Sequence, residues 1–350
     1  MKIKKITLKY SHLPLKEPFT TALRSVETID EIILIIDTQA YQGLGSAPAT
    51  LAVTGDDLES IASDINNIII PAFLHYDLDD YEQTFQKLSR LDICKSAQTA
   101  VDIALHDLFA KEKNQPLYEY LQGKSRPLQT LYTISINSPE KMLAQAQEAF
   151  HLGFTKLKVK LDKQLELNIK RIQHIHKNLT KAELFLDINQ AFNYQQTQEL
   201  MIALKEFPIT LLEQPLPAHD LKGMSELTRA NILPILADET VFSYNDALKA
   251  IEFQACHYIN IKLMKCGGIY EAKKILELCQ EKEMKCMMGS MLESGISVTA
   301  ALHLAFAYKN VIFADLDGPT LARERIITGG ITYDAMNISL DNKIGLGITL

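Results

Sequence analysis

Polar and apolar residues alternate at the start of the chain, in "KIKKITLKY" over residues 2–10, and an apolar run follows in "DEIILIIDTQ" over 30–39. Both patterns predict strands. "PFTTALRSVET" (18–28) joins them, while "GSAPAT" (45–50) and "TGDD" (54–57) read as punctuation. Apolar spacing then lengthens to the helical period near 56–70, 79–90 and 94–113, most clearly in "CKSAQTAVDIALHDLFAKE". Sheet followed by helices predicts an α+β unit over 1–125.

From about residue 128 the pattern becomes a repeat. The short apolar runs are "LQTLYTISI", "TKLKVKL", "LFLDINQ", "ITLLEQP", "PILADET", "YINIKLM", "KCMMGSM" and "VIFADLD". Helical stretches such as "SPEKMLAQAQEAFHLG" and "GIYEAKKILELCQEKE" separate most of them. Repeating β–α units require parallel strands, and eight of them close into a barrel with helices outside. The predicted class is α/β, a (β/α)7–8 TIM-like barrel over 126–328 beside the N-terminal α+β domain. The tail, 329–350, has strand and turn signals without a further β–α unit, and is expected to return to the first domain.

Composition narrows the setting. The chain has 350 residues, 47% hydrophobic and 23% charged, which suits a globular protein with a sizeable core. A net charge of −7 argues against nucleic acid as a partner. Cys94, Cys256, Cys266, Cys279 and Cys286 form no CxxC pair and are an odd number, so they read as reduced thiols of a cytoplasmic protein. The N-terminus reads as a strand and not a secretory signal, and no stretch approaches the ~20 apolar residues of a membrane span. A homo-oligomer is compatible with the sequence but not required by it.

Barrel active sites lie at the C-terminal ends of the strands. Those ends carry Lys158 and Lys160, then Asp187, Glu213 and Asp238 on three consecutive strands, then Lys262, and finally Asp315 with Asp317. The first three acids are 26 and 25 residues apart, about one β–α unit each, so they converge. Each alone reads as well as a solvated strand end or a helix N-cap; together they need a cation. Oxygen ligation without histidine favours a hard ion, Mg²⁺, with Mn²⁺ as a substitute.

In "TKLKVKL", Lys156, Lys158 and Lys160 share one face, and a closed barrel has no edge strand to carry them outward. Lys160 and Lys262 then face each other across the barrel mouth. Desolvated lysines with lowered pKa values would act as a base and an acid on opposite faces of one carbon. Lys265, three positions on, is expected to be solvated. His174 and His176, two apart on a helix, are expected at the surface. "CGGI" (266–269) opens a helix and is a weak candidate phosphate cradle.

The "KLKVK" lysines, the acids of "LDINQ", "LEQP" and "ADET", and the lysine of "NIKLMKCGGI" resemble the enolase superfamily, in particular its muconate-lactonizing-enzyme subgroup. Within it the chain is similar to the dipeptide epimerases, through "PFTTALRSVET", "YTISINSPEK", "NIKLMKCGGI", "CMMGSMLESG" and "DLDGP". The resemblance implies an enolase-like fold whose N-terminal domain caps the barrel. It implies that Asp187, Glu213 and Asp238 bind Mg²⁺, that Lys160 and Lys262 are the acid/base pair, and that Lys158 assists near the substrate carboxylate. It places Asp315 and Asp317 on the α-ammonium of a dipeptide and Arg24 on the side-chain carboxylate of a C-terminal glutamate. Thr133 and Ser290 match pocket-lining positions. "DINQAFN" and "MLESGIS" depart from the usual family wording around an intact acid set.

The implied reaction is Mg²⁺-dependent epimerisation at the α-carbon of the C-terminal residue, a 1,1-proton transfer through an enolate. The expected substrate is L-Ala-D/L-Glu, in cell-wall peptide recycling. Other readings are an epimerase for hydrophobic dipeptides and a cycloisomerase or o-succinylbenzoate-synthase type of reaction. A non-catalytic binding protein on the same barrel predicts a missing acid or lysine, and none is missing.

Overall fold

A computed structural model describes residues 1–350. Its strands begin with β1 (Lys5–Thr20), β2 (Ser25–Asp37) and β3 (Gln42–Pro48), which form one antiparallel sheet in that order. The β1–β2 hairpin is longer than its apolar runs suggest: Phe19 pairs with Val26 and Thr20 with Ser25. "PFTTALRSVET" is thus the tip of a hairpin. Thr21 N–H donates to the Arg24 carbonyl (2.9 Å), and the Thr21 hydroxyl accepts from Arg24 N–H (3.3 Å), so the turn itself holds Arg24 in place.

β3 corrects the expectation that "GSAPAT" is mere punctuation. Glycine, serine, alanine and proline carry little strand propensity, but here closeness of packing decides. A Cβ on Gly43 or Gly45 would run into the backbone carbonyls of Ala104 and Ala100, on the helix Lys95–Glu112. Small residues let the sheet lie directly on that helix.

The remaining strands are β4 (Leu128–Gln129), β5 (Tyr132–Ile134), β6 (Lys156–Lys160), β7 (Glu183–Asp187), β8 (Ile209–Glu213), β9 (Ile235–Ala237), β10 (Tyr258–Ile261), β11 (Lys285–Gly289), β12 (Val311–Asp315), β13 (Thr328–Gly329), β14 (Thr332–Asp334), β15 (Asn337–Ser339) and β16 (Ile348–Thr349). β5 to β12 pair in sequence order, all parallel, as an eight-stranded barrel. The ring closes through a Thr130–Ala314 bridge rather than a full ladder. "LQTLYTISI" is therefore not one strand: its first residues form β4, which pairs with β15 outside the barrel.

The tail touches both parts. β14 and β15 extend the β4 sheet, while Leu346 N–H donates to Asp107 (2.8 Å) and Gly345 exchanges backbone bonds with Gln115 and Leu117. One continuous apolar cluster reaches from Ile3 to Ile348 through both parts. A second cluster, Leu131, Phe185, Leu211, Leu236 and Met287, fills the barrel interior. At roughly 1.5–3 kcal/mol for each buried large side chain, this plug is a firm floor for whatever stands above it.

Candidate active site

Strand period carries the floor into the site. Two residues beyond Leu131, Phe185, Leu211, Leu236 and Phe313, on the same inward face, come Thr133, Asp187, Glu213, Asp238 and Asp315. Register sets their neighbours: Thr133 lies beside Lys158, Lys160 beside Asp187, and Asp187 beside Glu213. On β6, Leu157 and Val159 pack into the apolar cluster while Lys158 and Lys160 turn inward, both buried.

Asp187 and Glu213 meet at one focus, with Asp315 rather than Asp238 as their third acid, and Lys158 occupies it. Lys158 Nζ lies 3.0 Å from Asp187 Oδ2, 2.7 Å from Glu213 Oε2 and 2.7 Å from Asp315 Oδ2. Lys160 pairs with Asp187 (2.6 Å) and donates to Asn189 Oδ1 (3.3 Å). Lys262 pairs with Asp238 Oδ2 at 2.7 Å. As placed, Asp187, Glu213 and Asp238 are not gathered around one metal point. Even so, the donors suit a hard cation: all are oxygens, Asp187, Glu213 and Asp238 are buried, and Glu213 Oε2 and Glu239 Oε2 have no hydrogen-bond donor aligned on them. Lys158 Nζ marks where positive charge belongs.

Charge balance supports the same fit. Six carboxyls (Asp187, Glu213, Asp238, Glu239, Asp315, Asp317) meet four lysines (Lys158, Lys160, Lys262, Lys265), all buried. Burial would raise Asp187, but Lys158 and Lys160 outweigh it and hold its carboxyl at about 2. Asp238 is likewise drawn down by Lys262 and Lys265 against its burial. Burial and the neighbouring acids push Glu213 up to about 7 and Glu239 to about 8. Burial and Asp315 push Asp317 to about 7. Six carboxyls against four lysines leave an excess of negative charge, which a further cation would offset.

Lys262 behaves opposite to expectation, and Lys158 follows the same direction. Burial alone would lower Lys158 and Lys262, but the surrounding carboxylates hold both above the ordinary lysine value. Acid pairing wins over desolvation here.

Arg24, Thr133, Lys158, Lys160, Lys262, Ser290, Asp315 and Asp317 all line one cavity of about 620 Å³, counting its open mouth. Asp187 and Glu213 are buried and do not line it. Asp317 Oδ2 accepts from Thr133 N–H (2.7 Å), and the Ser290 hydroxyl donates to the Asp315 carbonyl (3.2 Å). Arg24 is half-buried, makes no ion pair, and donates only a long bond to the Ala49 carbonyl (3.4 Å). Burial lowers its pKa, with Asp30 opposing.

Several expectations need correction. Lys265 is not solvated: 1% exposed, it donates to Asp238 Oδ1 (2.7 Å), to the Asp238 carbonyl (2.6 Å) and to the Asn260 carbonyl (2.9 Å). The helix turn Leu263–Cys266 that directly follows β10 folds it back over the site. "CGGI" cradles no phosphate, because the Asp102 carboxylate already takes the N–H groups of Ile269 and Tyr270. His174 and His176 are half-buried rather than at the surface, His176 against Phe207.

Other residues join the site unannounced. Asn260 donates to Glu213 Oε1 (2.9 Å), and Asn189 donates to Glu239 Oε1 (3.1 Å). Asn260 is two residues before Lys262 on one strand face, a signal that alternation alone supplies. Asn189 has none, since its left-handed backbone (φ 44°) aims it.

An eight-stranded β/α barrel with acids and lysines at its mouth, under an α+β domain whose hairpin tip reaches the cavity, defines a barrel enzyme with a capping domain. Residues 4–122 match the "Mandelate racemase / muconate lactonizing enzyme, N-terminal domain" family, and residues 141–350 match "Enolase C-terminal domain-like". The chain belongs to the mandelate racemase/muconate lactonizing enzyme family of the enolase superfamily. An L-Ala-D/L-Glu epimerase of Clostridium acetobutylicum is 43% identical, covering 99% of each chain. The substrate-liganded L-Ala-D/L-Glu epimerase of Bacillus subtilis superposes with a TM-score of 0.97 at 38% identity, over 99% of each chain. The dipeptide epimerase of Enterococcus faecalis, solved with Mg and L-Leu-L-Tyr, gives 0.96 at 35% identity over the whole of both.

Proposed function

We propose that the chain is a Mg²⁺-dependent dipeptide epimerase, inverting the α-carbon of the C-terminal residue, with L-Ala-D/L-Glu as substrate. The observation that carries the reading is the placement of Lys160 and Lys262. They enter one cavity from strands four apart in the barrel, above a ring of acids.

Asp187, Glu213 and Asp238 would hold the metal. When bound, Mg²⁺ would neutralise charge developing on the substrate carboxylate and relieve the acids of their hold on the lysines. One lysine, as the free amine, takes the α-proton from one face, and the other, as the ammonium, returns a proton to the opposite face. Lys158, deepest of the three, stays charged and faces the carboxylate end. Asp315 and Asp317 bind the α-ammonium, which orients the peptide with its C-terminal residue between the lysines. Arg24 supplies an unpaired guanidinium for a side-chain carboxylate, and Thr133 and Ser290 shape the wall near the aspartates. Mn²⁺ satisfies the same oxygen donors. A cytoplasmic role in peptidoglycan recycling follows from an Ala-Glu substrate.

A second reading, an epimerase for dipeptides with apolar residues, is favoured by Phe19, Leu23, Val53, Met291, Leu292 and Leu321 on the same cavity wall. A screen of L,L-dipeptides in D₂O with Mg²⁺ separates the two. Deuterium entering the C-terminal α-position of L-Ala-L-Glu supports the first reading, and label confined to apolar dipeptides supports the second. Label in no dipeptide overturns both.

A further inference from the structure

The segment that follows Lys262 packs on the other domain. Lys262 directly precedes the turn Leu263–Cys266, which leads through Gly267 and Gly268 into the helix Ile269–Glu281, and every residue from Lys262 to Tyr270 is buried. The turn is closed internally, since the Leu263 carbonyl accepts from both Gly267 N–H and Gly268 N–H at 3.0 Å. Lys265 ties the turn to Asp238 and Asn260 of the barrel, and its other outer contacts go to the helix Lys95–Glu112 of the N-terminal domain. The Thr99 hydroxyl lies between the Lys95 carbonyl of its own helix (2.8 Å) and the same Leu263 carbonyl (2.9 Å), and can donate to either. Asp102 accepts from Ile269 N–H (2.6 Å) and Tyr270 N–H (3.2 Å), capping the helix that the turn opens.

The fit leaves no slack. Gly267 and Gly268 have left-handed φ values of 99° and 113°. A Cβ on Gly267 would strike the Gln98 side chain, and one on Gly268 would strike the Asp102 carboxylate. Asp102 is itself held: the His106 imidazole donates from Nδ1 to the Asp102 carbonyl (2.9 Å) and accepts at Nε2 from the Tyr81 hydroxyl (2.9 Å). Lys160, by contrast, rests on β6 inside the barrel and has no such tie.

We infer that Thr99 and Asp102 are positioning residues for Lys262, so that the N-terminal domain sets the geometry of one of the two proton-transfer lysines and not the other. The inference rests on the two-lysine reading above. If each lysine serves one configuration of the C-terminal residue, loosening the turn should impair one configuration only.

The test measures α-proton exchange in D₂O with Mg²⁺, separately for L-Ala-L-Glu and L-Ala-D-Glu. Lys262→Ala identifies the configuration that depends on Lys262. Thr99→Val removes the hydroxyl at nearly constant volume, and Asp102→Asn removes the carboxylate charge. Each should slow exchange of that same configuration by about 10- to 100-fold, as a small misplacement of a reacting group does, and leave the other within about two-fold. Thr99→Ser should restore the wild-type ratio. Equal losses for both configurations, or unchanged rates in both variants, would overturn the inference, with Thr99→Val keeping it testable should Asp102→Asn fail to fold. If Lys262→Ala and Lys160→Ala show no split between configurations, it is the two-lysine reading that has failed, and the lysine variants alone reveal it.

Discussion

Lys265 grips Asp238 twice, donating to its carboxylate at 2.7 Å and to its backbone carbonyl at 2.6 Å. The same carboxylate also takes Lys262. Two lysines on one buried acid hold it charged and fixed in direction. Removing one leaves Asp238 with half its compensation, in a place where water cannot substitute.

Lys265→Met should therefore destabilise the metal-free protein by about 2–4 kcal/mol, less than a fully unpaired buried charge because Lys262 remains. Mg²⁺ should recover more of that stability in the variant than it adds to wild type. Urea unfolding with and without Mg²⁺ checks both. Equal metal-induced stabilisation of the two proteins would mean that Asp238 is no metal ligand.

Arg24 sits at a hairpin tip with no carboxylate of its own. Arg24→Met keeps the stem and loses the charge. For L-Ala-L-Glu, kcat/KM should fall about 10- to 100-fold, the worth of a charged hydrogen bond. For a dipeptide with an apolar C-terminal residue it should hold or rise. A uniform fall across both substrates would make Arg24 a structural residue of the turn.

Asp317 is pushed up to about 7 by burial and by Asp315. An α-ammonium needs the ionised carboxylate, so dipeptide binding should weaken as pH falls through about 7, with KM rising and kcat less affected. Asp317→Asn retains an acceptor for Thr133 N–H but cannot ionise. The variant should have a high KM that lacks this inflection. An inflection surviving unchanged in the variant would assign it to another group.

Much of this was legible in the chain before any coordinates. The alternation of β and α stretches follows from period alone, and acids one β–α unit apart on parallel strands have nowhere to go but the same mouth. The failures have a common source in tertiary packing. β3 carries Gly43 and Gly45 where helix Lys95–Glu112 presses closest, so its residues are chosen for size and conceal a strand. By strand period Lys265 lies beyond the strand end, and only the tight turn after Lys262 returns it to Asp238. Desolvation alone lowers a lysine, and the strand pattern does not show the carboxylate pairing that raises Lys262 instead. Asp102, which closes the "CGGI" turn, lies more than 160 residues earlier, beyond the reach of any local pattern.

His303 gives a pH dependence of stability apart from the active site. It is fully buried against Tyr118, accepts from Tyr118 N–H at Nδ1 (3.0 Å) and faces the Leu346 carbonyl through Nε2 (3.3 Å). Those partners require the neutral ring, with its proton on Nε2. Burial lowers its pKa to about 4, against a small opposing pull from Leu346. The unfolded chain takes up a proton below about 6.5, whereas the folded protein does so only near 4. Above that window His303 has no effect on the pH profile. As pH falls through it, the unfolded state alone gains a proton, and stability drops by about 1.4 kcal/mol per unit, roughly 3 kcal/mol in all. His303→Gln keeps an acceptor and a donor but cannot titrate. At neutral pH it should be less stable than wild type, by about 1–2 kcal/mol for imperfect packing and bonding. Urea unfolding at a series of pH values should show this deficit shrinking, and then reversing, towards pH 4. A deficit that stays constant from neutral to acid pH would show that His303 is not held neutral by the fold.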